Sequence, residues 1–385
     1  MPKLSPLPLK PTEWRKLRKS GSLLVDKTLD LDSLVIRYNP CYIARPHGMG
    51  KTMLCAQLEE LFTNGPKAFA GMDIHDEWDE DTYPVVRLSL GESKRVSVSK
   101  YAEWLQKCLI KAYVHAGLVK KGELEVQDDL EDLLSDLSTA AAGQELVFLI
   151  DDWDAQILHY LHDEDASSYL ESLWQDFWEW LRDNNELHFV LVTGTMSYYL
   201  AKEVLGDCEP INVEPDHYQL LGITPEELTT YYGPYLTEAA QRLGHSEDEL
   251  ITKLESYYLG FNFDLDEPHP VYSPLDLNQF FAPLTESETA LPEFKPYWFA
   301  SRDHYGLERW IKGEYTAELV EQLDQEIEIP GYYVDCLANF DELDLPTYLF
   351  ETGYLTFKTA LDGLPETVVC PNRAIAQGLT KLLER

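Results

Sequence analysis

No stretch of this chain approaches the ~20 consecutive apolar residues that a membrane-spanning helix requires. Its first residues, Met1 to Gly21, carry basic side chains with no apolar run behind them, so they do not read as a secretory leader. The six cysteines, at positions 41, 55, 108, 208, 336 and 370, include no Cys-x-x-Cys pair. That argues against a zinc ribbon and a disulfide scaffold alike and fits a reducing cytoplasm. No internal repeat or low-complexity tract is present. Basic charge is scarce: 31 Lys and Arg against 68 Asp and Glu give a formal net charge of −37. Residues 1–52 run against that trend with ten basic and four acidic residues, so the remainder carries −43. Such a body repels a nucleic-acid backbone over most of its surface, leaving room only for a small basic patch. The plain reading is a solvated acidic surface.

What is present is enough apolar material for a real core. The chain has 385 residues, 44% hydrophobic and 12% aromatic, which at roughly 100–200 residues per domain suggests two or three domains. After an extended proline-containing arm, short apolar runs alternate with longer amphipathic ones. Strands are expected at Cys41–Ala44, Val85–Leu90, Leu146–Ile150, Phe189–Thr193 and Pro210–Val213, with helices near 51–63, 98–117, 129–139 and 168–183. Alternation of nearly continuous apolar strands with helices predicts an α/β fold whose parallel sheet is covered on both faces. From about residue 215 the pattern turns helical, with helices near 226–243, 246–258 and 315–325 and no strong strand before Tyr354–Phe357. Thr224-Pro225-Glu226-Glu227 reads as an N-cap, a proline at the first helical position and a capping-box glutamate. The expected division is a nucleotide-binding domain over 1–215, a helical lid over 216–300, and a small helical or winged-helix module over 301–385.

The segment Cys41-Tyr42-Ile43-Ala44-Arg45-Pro46-His47-Gly48-Met49-Gly50-Lys51-Thr52 is the most informative. A strand runs into a tight Gly-Lys-Thr segment and an amphipathic helix starts at once, the context of a Walker A phosphate loop. There, backbone amides and the helix N-terminus hold phosphate oxygens. Lys51 would reach the β- and γ-phosphates, and the Thr52 hydroxyl would ligate Mg²⁺. Arg45 stands where the strict pattern has its first glycine. About 100 residues on, Leu146-Val147-Phe148-Leu149-Ile150-Asp151-Asp152-Trp153-Asp154 is a buried strand ending in carboxylates, a Walker B strand. Asp151 is the expected metal-side carboxylate, and the next acid polarises the attacking water. Thr193, at the end of a third strand, is either a sensor of the γ-phosphate or an ordinary strand-end threonine.

Together these residues resemble the prokaryotic AAA-ATPase-like proteins that commonly carry a PD-(D/E)XK nuclease at the C-terminus. Val25-Asp26-Lys27-Thr28, Arg45-Pro46 through Gly50-Lys51-Thr52, and Ile150-Asp151-Asp152-Trp153-Asp154 are similar to that family's motifs. So are Gly222-Ile223-Thr224, Tyr258-Leu259-Gly260-Phe261-Asn262-Phe263, Val271-Tyr272-Ser273-Pro274, Lys295-Pro296-Tyr297-Trp298 and Thr352-Gly353-Tyr354-Leu355. The resemblance makes the missing glycine a family trait and implies a P-loop NTPase of ASCE or STAND type. ATP and Mg²⁺ are its implied ligands, with residues 45–52 and Thr193 on the nucleotide and Thr52 and Asp151 on the metal; no guanine-reading motif occurs. Lys51, Asp152 and Asp154 are the expected catalytic residues. The family's glutamate is here Asp152, whose carboxylate sits on the order of 1–1.5 Å further back, enough to cost ~10²-fold in rate. The family's arginine past the sensor threonine is also missing, the sequence there reading Thr195-Met196-Ser197. The likeness ends near Cys370-Pro371-Asn372, with 13 residues following, so no nuclease activity of its own is expected.

The implied function is a cytoplasmic ATPase switch or sensor controlling a protein partner or separate effector chain, in a setting such as antiviral defence. The alternative is a non-hydrolysing, nucleotide-locked scaffold; self-association is a further option and membranes are not involved. Other features have ordinary readings. Trp174, Phe177, Trp178 and Leu181 form a core-facing helix stripe. His159, His162, Asp163 and Asp165 are either a solvated loop or a loose metal cluster. Asp26 and Lys27 either close the nucleotide pocket or form a surface turn. Arg15, Lys16, Arg18 and Lys19 are a solvated helix face or a contact for an acidic partner.

Overall fold

The computed structural model describes residues 4–10, 13–91, 95–161, 163–183, 186–196, 209–211, 217–264, 267–302, 304, 306–307, 327–328, 345–361 and 364–383. Helices α1 (Trp14–Ser20) and α2 (Thr28–Arg37) precede strand β1 (Cys41–Ala44), and α3 (Lys51–Asn64) follows it. Then come β2 (Val85–Ser89), α4 (Tyr101–His115), α5 (Leu130–Ala141), β3 (Leu146–Asp151), α6 (Glu164–Asp183), β4 (Leu187–Gly194) and the short β5 (Glu209–Pro210). The five strands form one parallel sheet in the order β2-β3-β4-β1-β5. Strands β1, β3 and most of β4 are buried along their length, which is why they read as unbroken apolar runs. Helix α3 packs across β2 and β3, and α4 on β2. The expected parallel α/β fold is therefore the fold observed.

The order sets up the site. Strand β1 has β4 on one side and β5 on the other, so the chain leaving β1 emerges at the carboxyl edge, where the connections diverge. Strand β4 lies between β1 and β3, and its register pairs Thr193 with Ile43 while Val192 pairs with Ile150. Asp151 is thereby brought level with Thr193, one strand away from the loop.

The second half contains α7 (Pro225–Leu243), α8 (Glu247–Tyr258), β6 (Leu259–Phe261), β7 (Val271–Tyr272), α9 (Pro274–Glu286) and the one-turn α10 (Tyr297–Ala300). Thr224 accepts from Glu227 N and Glu227 reaches back to Thr224 N, the capping box foreseen in the sequence, with Pro225 in the first turn. Ser246 and Glu249 repeat the device at α8. The strands β6 and β7 correct the expectation of no strand before residue 354. At three and two residues they are too short for period-2 alternation to register. Further on, β8 (Ile327–Glu328), α11 (Leu345–Glu351), β9 (Thr356–Leu361), β10 (Leu364–Val369) and α12 (Arg373–Leu383) follow, and the strands form an antiparallel sheet in the order β8-β10-β9. The helix expected at 315–325 lies outside the described residues.

Two apolar clusters hold these parts. One joins the parallel sheet and its helices to Trp298, Tyr348, Tyr354, Val368 and Ile375 of the C-terminal elements. The other packs α7, α8 and α9 together and includes Leu7 of the N-terminal arm. Tyr235 donates to Ser5 O, and Leu23 N donates to Pro6 O at 2.9 Å, so the arm is fastened to α7 and to the segment after α1. The aromatic stripe of α6 is fully buried, with Trp174 and Trp178 stacked on one another and edge-on to Trp153. The basic run stays largely exposed, but Arg15 pairs with Glu60 at 2.6 Å and Arg18 donates to Ala68 O and Ala70 O, seating α1 on α3 and the turn after it. Among the described residues, no helix is long and apolar enough to cross a membrane.

Candidate functional site

The site begins where β1 stops. Arg45 N still donates to Gly194 O at 3.1 Å, so the ladder runs one residue past the strand. The chain then turns through two glycines in the left-handed region, Gly48 at φ 77° and Gly50 at φ 113°, conformations open mainly to glycine. Helix α3 starts at Lys51, leaving the first amides of the helix without intrahelical acceptors and aimed at the cavity.

Lys51 is 5% exposed. Its ammonium donates to Arg45 O at 2.7 Å and Pro46 O at 3.4 Å, and lies 3.2 Å from Asp152 Oδ1. The group that would meet a phosphate is thus held by its own loop and by the acid strand. Asp152 adopts φ 55°, unusual for a residue with a side chain, and packs so tightly against Gly91 that a Cβ there would overlap it. The amide of Asp152 and the carboxylate of Asp151 share one partner, the Thr193 hydroxyl, each at 3.1 Å. Thr193 is fully buried and couples the two acids. Thr52, at the start of α3, lies close enough to Asp151 to favour its charged form. Burial, reinforced by neighbouring Asp152, holds the Asp151 carboxyl above the usual carboxylate range.

Arg87 of β2 is a member of this site that sequence reasoning missed. It donates to Thr52 O at 3.1 Å and to Glu59 Oε2 at 2.8 Å, and lies 3.7 Å from Asp151 Oδ2. A single arginine inside a strand carries no motif; its half-polar position in Val85–Ser89 was the only available sign. Asp154 points elsewhere. Its Oδ2 accepts from Thr195 N at 2.8 Å and Met196 N at 2.9 Å, fixing the turn after β4, and burial pushes it up to about 6.

A cavity of about 420 Å³ opens over the loop, within the range of small-molecule sites (~300–1,000 Å³). His47 through Leu54 and Asp152 line it together with the apolar Leu24, Leu31, Leu220, Leu221 and Leu275, of which Leu221 and Leu275 lie against Gly50 and Gly48. The sequence-expected residues therefore divide in three. His47, Gly48, Met49, Gly50, Lys51, Thr52 and Asp152 face the cavity. Asp151 and Thr193 lie directly behind them. Arg45 and Pro46 form the outer wall, and Asp154 supports the neighbouring turn. Lys27 also lines the cavity, while bonding Gln219 O at 2.5 Å and Glu227 at 3.0 Å. Asp26 caps α2 through Thr28 and accepts from Asp73 N, so this segment is an internal staple.

The second half closes directly on the loop, and Gly222 and Leu275 line the same cavity. Gly222 N donates to Met49 O at 3.1 Å, Ser273 Oγ to Gly48 O at 3.4 Å, and the Trp298 indole to His47 O at 2.5 Å. Leu275 packs on Gly48, and Gly353, at φ 85°, lies so close to Pro46 that a Cβ would overlap it. Four dispersed sequence motifs thus meet on one loop. As for the ligands, open amides at a helix start, a buried lysine, a hydroxyl and a buried carboxylate are the donor set that a triphosphate and its magnesium require. No group of three or more His, Cys, Asp or Glu able to hold a metal occurs among the described residues; His162 lies outside them.

The chain is similar to several known proteins. The chain is 24% identical over 365 residues to an uncharacterized protein encoded in the vnfD 5′ region of Azotobacter chroococcum mcd 1, covering 91% of this chain and 64% of that relative's length. Among solved structures, a Walker-type ATPase of Pyrococcus abyssi aligns over 93% of this chain and 96% of its own, at 12% identity and a TM-score of 0.40. A family model described as "Predicted AAA-ATPase" matches residues 8–202, from the N-terminal arm through the loop and the acid strand to the end of β4 and beyond. The chain belongs to this predicted AAA-ATPase-like family of nucleotide-binding P-loop proteins.

Proposed function

We propose that the protein is a nucleotide-dependent switch: MgATP binding at the loop alters the grip of the second half on that loop, and the altered grip controls a partner protein. The observation that supports this most is the double engagement of the loop. Inside, Lys51 is held by Asp152 and two loop carbonyls. Outside, residues 222, 273–275, 298 and 353 sit directly against positions 46–49. A triphosphate drawing Lys51 forward disturbs both sides at once.

In this reading the amides at the start of α3 bind phosphate oxygens, and Lys51 leaves Asp152 to do the same. Thr52 and Asp151 would hold Mg²⁺, which supplies charge neutralisation and orients the phosphates. Asp152, released from Lys51, accepts the proton of the attacking water. Thr193 keeps both acids in place through its hydroxyl. The test is calorimetry with MgATP together with phosphate release. Binding and release by the native chain, both lost in Lys51→Ala, are expected; no heat at millimolar MgATP sinks the proposal.

A second reading, a scaffold locked by nucleotide with little or no turnover, is favoured by Asp152 itself. It is one methylene shorter than the family's glutamate and is held at φ 55° against Gly91. Intact ATP recovered after days of incubation would select the scaffold. Turnover unchanged in Asp152→Asn would remove Asp152 as the base.

A further inference from the structure

Arg45 is the residue that breaks the ordinary phosphate-loop pattern, and its surroundings are unusual. The side chain is 3% exposed. One guanidinium nitrogen donates to Ala44 O at 2.9 Å, the group lies 4.1 Å over the ring of Phe263, and Nε finds no partner among the described residues. No carboxylate pairs with it there, and burial alone lowers it to about 9, leaving it a cation at neutral pH. Buried cations are ordinarily paired, because leaving water is costly without compensation. Here the compensation is one carbonyl and one aromatic face. The arrangement therefore depends steeply on Phe263 staying over the guanidinium.

Phe263 is half-buried and follows a residue tied on several sides. Its neighbour Asn262 donates its amide to Thr356 Oγ1 at 2.8 Å, and Thr356 Oγ1 donates back to Asn262 O at 2.9 Å. The Asn262 side chain also binds Asp264 O and His269 N, closing the turn between β6 and β7. Strand β7 leads straight into Ser273 and Leu275, which touch Gly48. Phe263 thus meets the loop at Arg45 and Ser273 and Leu275 meet it at Gly48, while Asn262, next to Phe263, is tied to β9.

We infer that Arg45 and Phe263 form the joint through which the state of the phosphate loop reaches the β6–β7 hairpin and the C-terminal sheet. Arg45 is in this sense a positioning residue whose side chain faces away from the nucleotide. The inference rests on the switch reading and specifies where its signal leaves the site.

The test is amide hydrogen exchange of the full chain with and without saturating MgATP, alongside calorimetry with MgATP and with magnesium tripolyphosphate. The native protein is expected to gain protection at 259–264 and 352–356 by at least ~5-fold. Phe263→Leu keeps its affinity within about threefold and loses that gain. Arg45→Lys retains the charge but loses the flat stacking surface, and it loses most of the gain as well. If either variant fails to fold, as judged by its thermal transition, the other decides. A native-sized gain in a folded variant overturns the inference, as does a native protein that binds MgATP without protection at these segments. If the native chain binds neither MgATP nor tripolyphosphate, the nucleotide reading itself fails and the joint has nothing to transmit.

Discussion

The two faces of the phosphate loop are built on opposite rules. The inner face gathers Lys51, Thr52, Asp151, Asp152, Thr193 and Arg87 from neighbouring strand ends and the start of α3. Its bonds run mainly between charged groups and a hydroxyl. The other set, from the second half, gathers Gly222, Ser273, Leu275, Trp298 and Gly353, of which Gly222 and Leu275 also line the cavity, and its contacts are hydrogen bonds to loop carbonyls and close packing. The difference teaches where chemistry and coupling reside. In the proposed switch, the charges behind the loop change partners when a ligand arrives. Packed groups in front have no alternative partners, so they move with the loop or resist it.

That contrast can be broken most sharply at Lys51. Lys51→Ala should weaken MgATP binding or turnover by about 10²–10³-fold, the scale of removing a preorganised charge at a phosphoryl site, while the thermal transition shifts little. A loss below tenfold in calorimetry would mean that the inner face does not hold the phosphates. Next comes Gly222, at φ 95°, where a Cβ would meet Val271 at 2.5 Å. Gly222→Ala should lower stability by about 1–3 kcal/mol, read from urea unfolding, with nucleotide affinity falling less than in Lys51→Ala.

A pH experiment sharpens the comparison further. Asp276 of α9 is fully buried, accepts from Trp298 N at 2.8 Å, and is pushed by burial up to about 7. A carboxyl raised in the folded state favours the protonated form, so its contribution is fully present below the unfolded pKa of about 4 and is lost as pH rises to 7. Unfolding free energy should therefore decline from about pH 4 to pH 7, on the order of 1 kcal/mol per unit at the steepest point, and level off above it. Asp276→Asn, which mimics the protonated form, should flatten that decline. An unchanged slope in the variant places the titrating group elsewhere. The smallest effect is expected from Trp298→Phe, which removes the bond to His47 O and should cost about 1 kcal/mol with a few-fold change in affinity.

The legibility of the molecule follows the same division. Strand β1, the loop, β3 and the capping box at Thr224 could be read in advance because each is a local pattern. The basic run reads as a helix face, and α1 is a helix there; α2 was not foreseen, although Leu31, Leu34 and Val35 bury one face of it and Asp26 and Thr28 tie its start to the segment at Asp73. The motifs around Gly222, Ser273, Trp298 and Gly353 were visible as family signposts without a reason. The reason is spatial: Ser273 meets Gly48 across 225 residues of chain, and Trp298 meets His47 across 251.

By itself the sequence determined a parallel α/β sheet and the reagents at its carboxyl edge. Burial sets the period of a strand, and a phosphate loop needs glycines, a lysine and a hydroxyl within a few residues of one another. Only the tertiary structure decided that Lys51 rests on Asp152, that Arg87 joins the acids, that Arg45 turns outward onto Phe263, and that the second half covers the loop. Those outcomes depend on which distant surfaces meet, and leucine, glycine, arginine and tryptophan side chains fit too many surfaces for a local pattern to choose among them.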